Sequence, residues 1–200
     1  MTASEPSEGA DPVLHLLAGP NGAGKSTLFD RVIGPVTHLE FVDADVIARR
    51  EWPGAELEHA YEASAMAAAR RTELLDTHTS FATETVFSHD SKVDLVREAR
   101  RRGYLVHLHV VVVPVELSVA RVAERVGDGG HDVPEVKIRD RHGRLWSLVL
   151  EAMPFSTRTT FYDNSRADRP FAAIAEFEGA TPIGPATWPR WAPTKLIELH

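Results

Sequence analysis

The stretch LLAGPNGAGKSTLF, residues 16–29, decides the fold. Gly19 to Ser26 fill every fixed position of G-x-x-x-x-G-K-[ST], and Thr27 follows. The apolar run Val13–Ala18 precedes the motif and reads as a short buried strand. Residues 25–33 read as a helix closed by Gly34-Pro35. Between a strand and a helix, glycines let the backbone wrap a phosphate chain, with several N–H groups pointing inward at the helix N-terminus. Lys25 then bridges β- and γ-phosphate oxygens, and Ser26 offers its hydroxyl to Mg2+. The expectation is a nucleoside-triphosphate site for ATP and Mg2+ built from Gly19, Pro20, Asn21, Gly22, Ala23, Gly24, Lys25, Ser26 and Thr27.

Outward from this loop, strand and helix patterns alternate. Strands are expected at 39–42, 80–85, 104–113, 160–163 and 171–177, and helices at 55–76, 91–102, 115–126 and 134–152. The unbroken apolar second half of 104–113 suits a central parallel strand. The reading is α/β: a three-layer phosphate-loop kinase fold with a mainly parallel central sheet and an Arg-bearing lid. Residues 1–11 are small and acidic and are expected as a disordered tail. Residues 12–200 are expected as one kinase domain, and 178–200, rich in Pro and Trp, as an irregular strap packing its indoles on it. Arg100-Arg101-Arg102 before Gly103 match a helix C-terminus.

The loop alone does not say where the γ-phosphate goes. No apolar strand ends in the Asp or Asp-Glu of a motor ATPase, and neither an LSGGQ-like signature nor an N-K-x-D guanine reader is present. A small transferase gains by that. Phe41-Val42-Asp43-Ala44-Asp45 puts carboxylates at the C-terminal end of the strand after the loop helix, where ligands of open α/β sheets bind. Asp45 is the expected base on an acceptor hydroxyl. Asp43 is the alternative, or a partner in Mg2+ hydration, and either can instead cap the helix starting near Val46. Arg121 and Arg125, four apart on one helix, and Arg139 and Arg141 beyond a glycine-rich connector can close over the phosphates. His107 and His109 share one strand face, a spacing that could hold a metal, but with no third ligand evident they read as packed or exposed strand histidines. His131 sits in the connector.

The formal charge of −7 makes the chain a poor electrostatic match for nucleic acid. The absence of cysteine excludes disulfides, thiolate zinc sites and cysteine nucleophiles. No apolar run approaches the roughly 18 residues of a membrane span, so the expectation is a cytoplasmic protein with no nucleic-acid and no membrane partner.

Several segments in order then resemble the zeta toxin family, phosphate-loop kinases of toxin–antitoxin systems. They are GPNGAGKST (19–27), FVDAD (41–45), SFATETVFS (80–88), GYLVHLHVV (103–111), ARVAERVGDGGHDVP (120–134) and YDNS (162–165). The resemblance implies a kinase that phosphorylates the 3′-hydroxyl of UDP-N-acetylglucosamine or a related sugar nucleotide, with an antitoxin protein as partner. It makes Asp45 the base and Glu84 and Thr85 substrate contacts; Asp43 and Ser88 are expected beside them on the substrate side. Arg121, Arg125 and Arg141 fall in the phosphate-sensing lid, and Asn164 near the adenine. Relatives often read NAD at 43–45 and ETT at 84–86. The extra carboxylate of Asp43 and the lost hydroxyl at Val86 bear on the sugar rather than on the kinase chemistry. A kinase of another nucleotide or small hydroxyl metabolite is the nearest rival, and a non-catalytic ATP-dependent binding module the next.

Overall fold

The computed structural model describes residues 10–127 and 133–199. Most of the expected tail, the connector residues 128–132 and, with them, His131 lie outside the described residues. The apolar runs become strands: β1 (Val13–Ala18), β2 (Glu40–Val42), β3 (Phe81–Thr85), β4 (Leu105–Val112), β5 (Arg158–Asp163), β6 (Ala172–Glu178) and β7 (Thr181–Pro182). They form one sheet in the order β2-β3-β1-β4-β5-β6-β7. β2 to β5 pair in parallel with their neighbours, whereas β6 and β7 are antiparallel. β4 is central, and Val110 to Val113 are fully buried, as its apolar run requires.

Helices cover both faces. Leu14, Leu16, Val106, Leu108 and Val110 pack against α4 (Ala60–Asp76), α5 (Ser91–Arg101) and α7 (Glu135–Ala152) through Leu74, Leu75, Val96, Leu145 and Val149. Leu17, Val111 and Val113 turn to the opposite face and meet Leu28, Phe29 and Ile33. The helix after the phosphate loop does not stop at Gly34-Pro35. α1 (Lys25–Leu28) passes through a π-helical turn, Phe29–Ile33, into α2 (Gly34–Thr37), which ends at His38 with φ 53°. Pro35 is accommodated where the π turn has shifted the hydrogen-bond pattern of the preceding carbonyls, with Gly34 N–H bonded to the Phe29 carbonyl. The expected helix at 55–76 begins late, after turns at 55–59. The fold continues with α3 (Ala44–Glu51) and α6 (Val115–Gly127). The strap is more regular than expected: besides β7 it carries α8 (Thr194–Ile197), with Leu196 buried and Trp188 edge-on to Phe161 at 5.0 Å. Arg101 and Arg102 pair with Glu98, and Arg100 donates to the Tyr104 carbonyl, which suits the helix-terminus reading of that run.

His107 and His109 have a third companion that the strand pattern did not reveal, His15 on β1. His15 Nδ1 lies 3.0 Å from His109 Nε2, and His109 Nδ1 lies 3.2 Å from the Tyr162 hydroxyl. Burial, with the neighbouring imidazoles, pushes His15 down to about 4 and His109 down to about 3. These rings are therefore neutral in the folded state, and their contribution is complete above pH 6.5. It is lost as the pH falls below that value, because the unfolded chain then binds protons that the fold refuses. The wild-type protein should lose about 2 kcal/mol more stability between pH 7 and pH 5 than His109→Gln. Urea denaturation at both pH values measures the difference, and parallel losses would remove His109 from the acid response.

Candidate functional site

The register brings the chemistry-bearing residues to one edge. Ala18 pairs with Thr85 and Val42 with Thr83, so the loop after β1, Asp43 after β2 and Glu84 near the end of β3 lie side by side at the carboxyl ends of the strands. A cavity of about 760 Å³ opens there. Loop residues Asn21, Gly22, Gly24, Lys25, Ser26 and Thr27 line it. So do Asp43, Asp45, Glu84, Thr85, Arg121, Arg125, Arg141 and Asn164. Ser88 does not reach this wall, and the structure does not bring it to the others.

The loop is shaped by contacts distant in sequence. Gly24 has φ 92°, and a Cβ there would fall 2.7 Å from the Asn164 amide nitrogen, so only glycine fits. Asn164 is buried and donates from Nδ2 to the Ala23 carbonyl at 2.8 Å. Arg121 donates to the carbonyls of Asn164 at 3.0 Å and Gly22 at 3.4 Å, and Ser118 Oγ donates to that of Asn21. Carbonyls are thus tied back, while the N–H groups of Gly22 and Gly24 make no hydrogen bond among the described residues. That is the arrangement of an anion cradle. Lys25 is buried in it, donating to the Pro20 carbonyl at 3.2 Å and lying 3.7 Å from Glu84. Ser26 Oγ donates to Glu84 Oε2 at 2.5 Å. A hydroxyl and a carboxylate meeting at the cradle are hard oxygen donors that suit Mg2+.

The two aspartates divide the alternatives left open by the sequence. Asp43 is the N-cap of α3 and accepts from the Val46 N–H at 2.9 Å. Asp45, two residues along, is exposed to the cavity, and its carboxylate has no hydrogen bond among the described residues. Burial, with the charge of Glu84 added, pushes Asp43 up to about 6. Its folded value exceeds its unfolded one, so the fold holds a proton the unfolded chain has released. Stability therefore falls as pH rises from about 4 to about 6, and the cost persists above that. Asp43→Asn retains a capping oxygen without the charge. It should be more stable than wild type at pH 7 by about 3 kcal/mol, with the gain vanishing near pH 4. Paired denaturation curves measure this, and a gain independent of pH would exclude the carboxyl as its source.

The arginines separate. Arg121, Arg125 and Arg141 face the cavity. Arg139 does not: it is held on the surface by Glu116 at 2.7 Å and Glu135 at 2.8 Å. Residues two apart on a helix lie on nearly opposite sides, so Arg139 and Arg141 cannot both face inward. The sequence reading also missed part of the wall: Ala60, Ser64, Ala67 and Arg71 of α4, Lys92 of α5, and Phe171. The α4 residues follow the spacing i, i+4, i+7, i+11 of one helix face, the one signal from which they were readable.

The family model described as Zeta toxin matches residues 1–149. The chain belongs to the zeta toxin family. No curated protein sequence matches it. Among solved structures, the PezAT chromosomal toxin–antitoxin system of Streptococcus pneumoniae aligns with TM-score 0.64 and 19% identity, over 85% of this chain and 72% of that one. The AvrRxo1-ORF1:AvrRxo1-ORF2 complex aligns with TM-score 0.58 and 18% identity, over 88% and 61%. A protein described as a candidate kinase from Chloroflexus aurantiacus gives TM-score 0.57 and 15% identity, over 80% and 91%. At these identities the likeness carries the fold: a phosphate-loop α/β fold of the kind found in kinases and zeta toxins. No helix among the described residues is long and apolar enough to cross a membrane.

Proposed function

We propose that this zeta toxin family member is an ATP-dependent phosphotransferase with an alcohol acceptor, most specifically the 3′-hydroxyl of UDP-N-acetylglucosamine or a related sugar nucleotide. The observation that carries the reading is one shared cavity. Lys25 and Ser26 of the phosphate loop face an unengaged carboxylate, Asp45, with Glu84 between them in contact with both loop side chains. A binder that merely senses nucleotide does not need a free carboxylate opposite the γ-phosphate position.

In this reading the loop N–H groups and Lys25 hold the phosphate chain of ATP. Ser26, with Glu84, would hold Mg2+, which supplies charge neutralisation on the phosphates. Asp45 orients the acceptor hydroxyl and takes its proton. The acceptor oxygen forms the new bond to the γ-phosphorus, and the bond from that phosphorus to the bridging oxygen breaks, so ADP leaves. Arg121, Arg125 and Arg141 balance the charge that spreads over the transferring group. Asp43, Glu84 and Thr85 line the acceptor side, and Asn164 supports the nucleotide side.

The PezAT and AvrRxo1 structures are of two-component systems, the former a toxin with its antitoxin. They support an antitoxin partner for this chain, and an AvrRxo1 complex with ATP supports the nucleotide. The test is mass spectrometry of the purified protein with ATP, Mg2+ and UDP-N-acetylglucosamine. A product heavier by one phosphoryl group is expected. ATP binding without that product would return the acceptor to other hydroxyl metabolites, and binding without turnover on any acceptor would leave a nucleotide-dependent binder.

A further inference from the structure

The sheet order divides the cavity wall. β4 and β5, carrying Arg121 on the following helix and Asn164 at the strand end, flank the phosphate-loop strand on one side. β3 and β2 flank it on the other, and there α4 and α5 contribute two cations, Arg71 and Lys92. Both side chains are half-buried, and among the described residues neither has a carboxylate within salt-bridge distance. The contrast with their neighbours is sharp: Arg70, one residue away, is engaged by Glu40 and Glu73. Burial weakens the charged form of both cations; Lys92 also feels the charge of Arg71, and the Asp43 carboxylate offsets only part of the cost for Arg71. Two like charges held near one another and away from water raise the energy of the empty fold unless something else is served.

The same side of the cavity carries Asp43, Asp45 and Glu84, which repel an anionic acceptor. Cations on that side offset the repulsion only for a molecule that reaches them. The small residues Ala60, Ser64 and Ala67 on the Arg71 face of α4 leave room for it. A guanidinium fork and an ammonium from different helices match the several oxygens of a phosphate or diphosphate better than a single carboxylate. We infer that Arg71 and Lys92 form an anion subsite for a phosphate or diphosphate group of the acceptor, separate from the cradle that holds ATP. The inference rests on the phosphotransferase reading in taking this side of the cavity for the acceptor.

Isothermal titration with the phosphate loop saturated by Mg2+ and a non-hydrolysable ATP analogue isolates the subsite. The probes are UDP-N-acetylglucosamine, inorganic pyrophosphate and uncharged N-acetylglucosamine. Both anions should bind and the neutral sugar should bind far more weakly. Arg71→Gln and Lys92→Gln should each weaken anion binding about ten-fold, and the pair together about 100-fold. Binding of the ATP analogue should stay as in wild type in all variants, which also reports that they fold. Anion binding unchanged in the double variant, or absent from the wild-type protein, overturns the subsite. Unchanged anion binding in the double variant leaves phosphoryl transfer untouched, whereas absence of UDP-N-acetylglucosamine binding from the wild-type protein also counts against that acceptor; the mass-spectrometric assay reads transfer itself.

Discussion

Replacing Lys25 with alanine is expected to reduce ATP turnover by roughly 10³-fold or more, with the fold retained. Lys25 is buried, and its ammonium donates to the Pro20 carbonyl and faces Glu84. In transfer that charge stays fixed while negative charge moves from the γ-phosphoryl group toward the departing ADP, so its removal acts on the transition state more than on binding. The fold survives because Glu84 still accepts from Ser26, and the β1–α1 junction is packed by Leu17, Ala23 and Leu28. A secondary sign accompanies the change. Lys25 lowers the affinity of Asp43 for its proton, so the alanine variant should hold that proton to higher pH than wild type. Product formation followed with a coupled ADP assay, beside circular dichroism, tests both parts. Wild-type turnover in a folded Lys25→Ala protein would remove the loop from the chemistry.

The second large effect concerns the acceptor. Asp45→Asn should bind the ATP analogue with unchanged affinity and transfer phosphate about 10²- to 10⁴-fold more slowly, the usual weight of a positioned general base. The substitution keeps shape and removes basicity. Because Asp45 lies in the first turn of α3 without a hydrogen-bond partner among the described residues, the fold loses little beyond a favourable charge near a helix N-terminus. Measuring kcat beside KM separates the roles: a base loses kcat, whereas a residue that only holds the acceptor loses mainly KM. Transfer at the wild-type rate would pass the base role to Asp43 or Glu84, the other carboxylates on the wall.

The β1–loop–α1 unit and the central strand were legible because each follows from a local rule: glycine spacing between a strand and a helix, and an unbroken apolar run. Asp43 and Asp45 were legible by position, since the end of a parallel strand is where the sheet opens. Choosing between them needed coordinates, because both residues suit a cap and only the backbone says which one accepts from Val46. Arg71 and Lys92 stayed hidden for a different reason. A stripe of alanine and serine on α4 reads as close packing until the neighbouring space is seen to be a cavity. Gly34-Pro35 misled because local stop signals cannot anticipate a π turn that shifts the hydrogen-bond pattern upstream. β7 and α8 are too short to impose a period on their residues.

The tie between Asn164 and Ala23 spans 141 residues, and it sets an order of events during synthesis. A ribosome has delivered the entire glycine motif, and all of the stretch matched by the family model, before the residue that braces the loop leaves the tunnel. Long-range closure of this kind is slow to form and comes late. The nascent chain thus carries the recognisable signature without a formed nucleotide cradle until Asn164 has emerged.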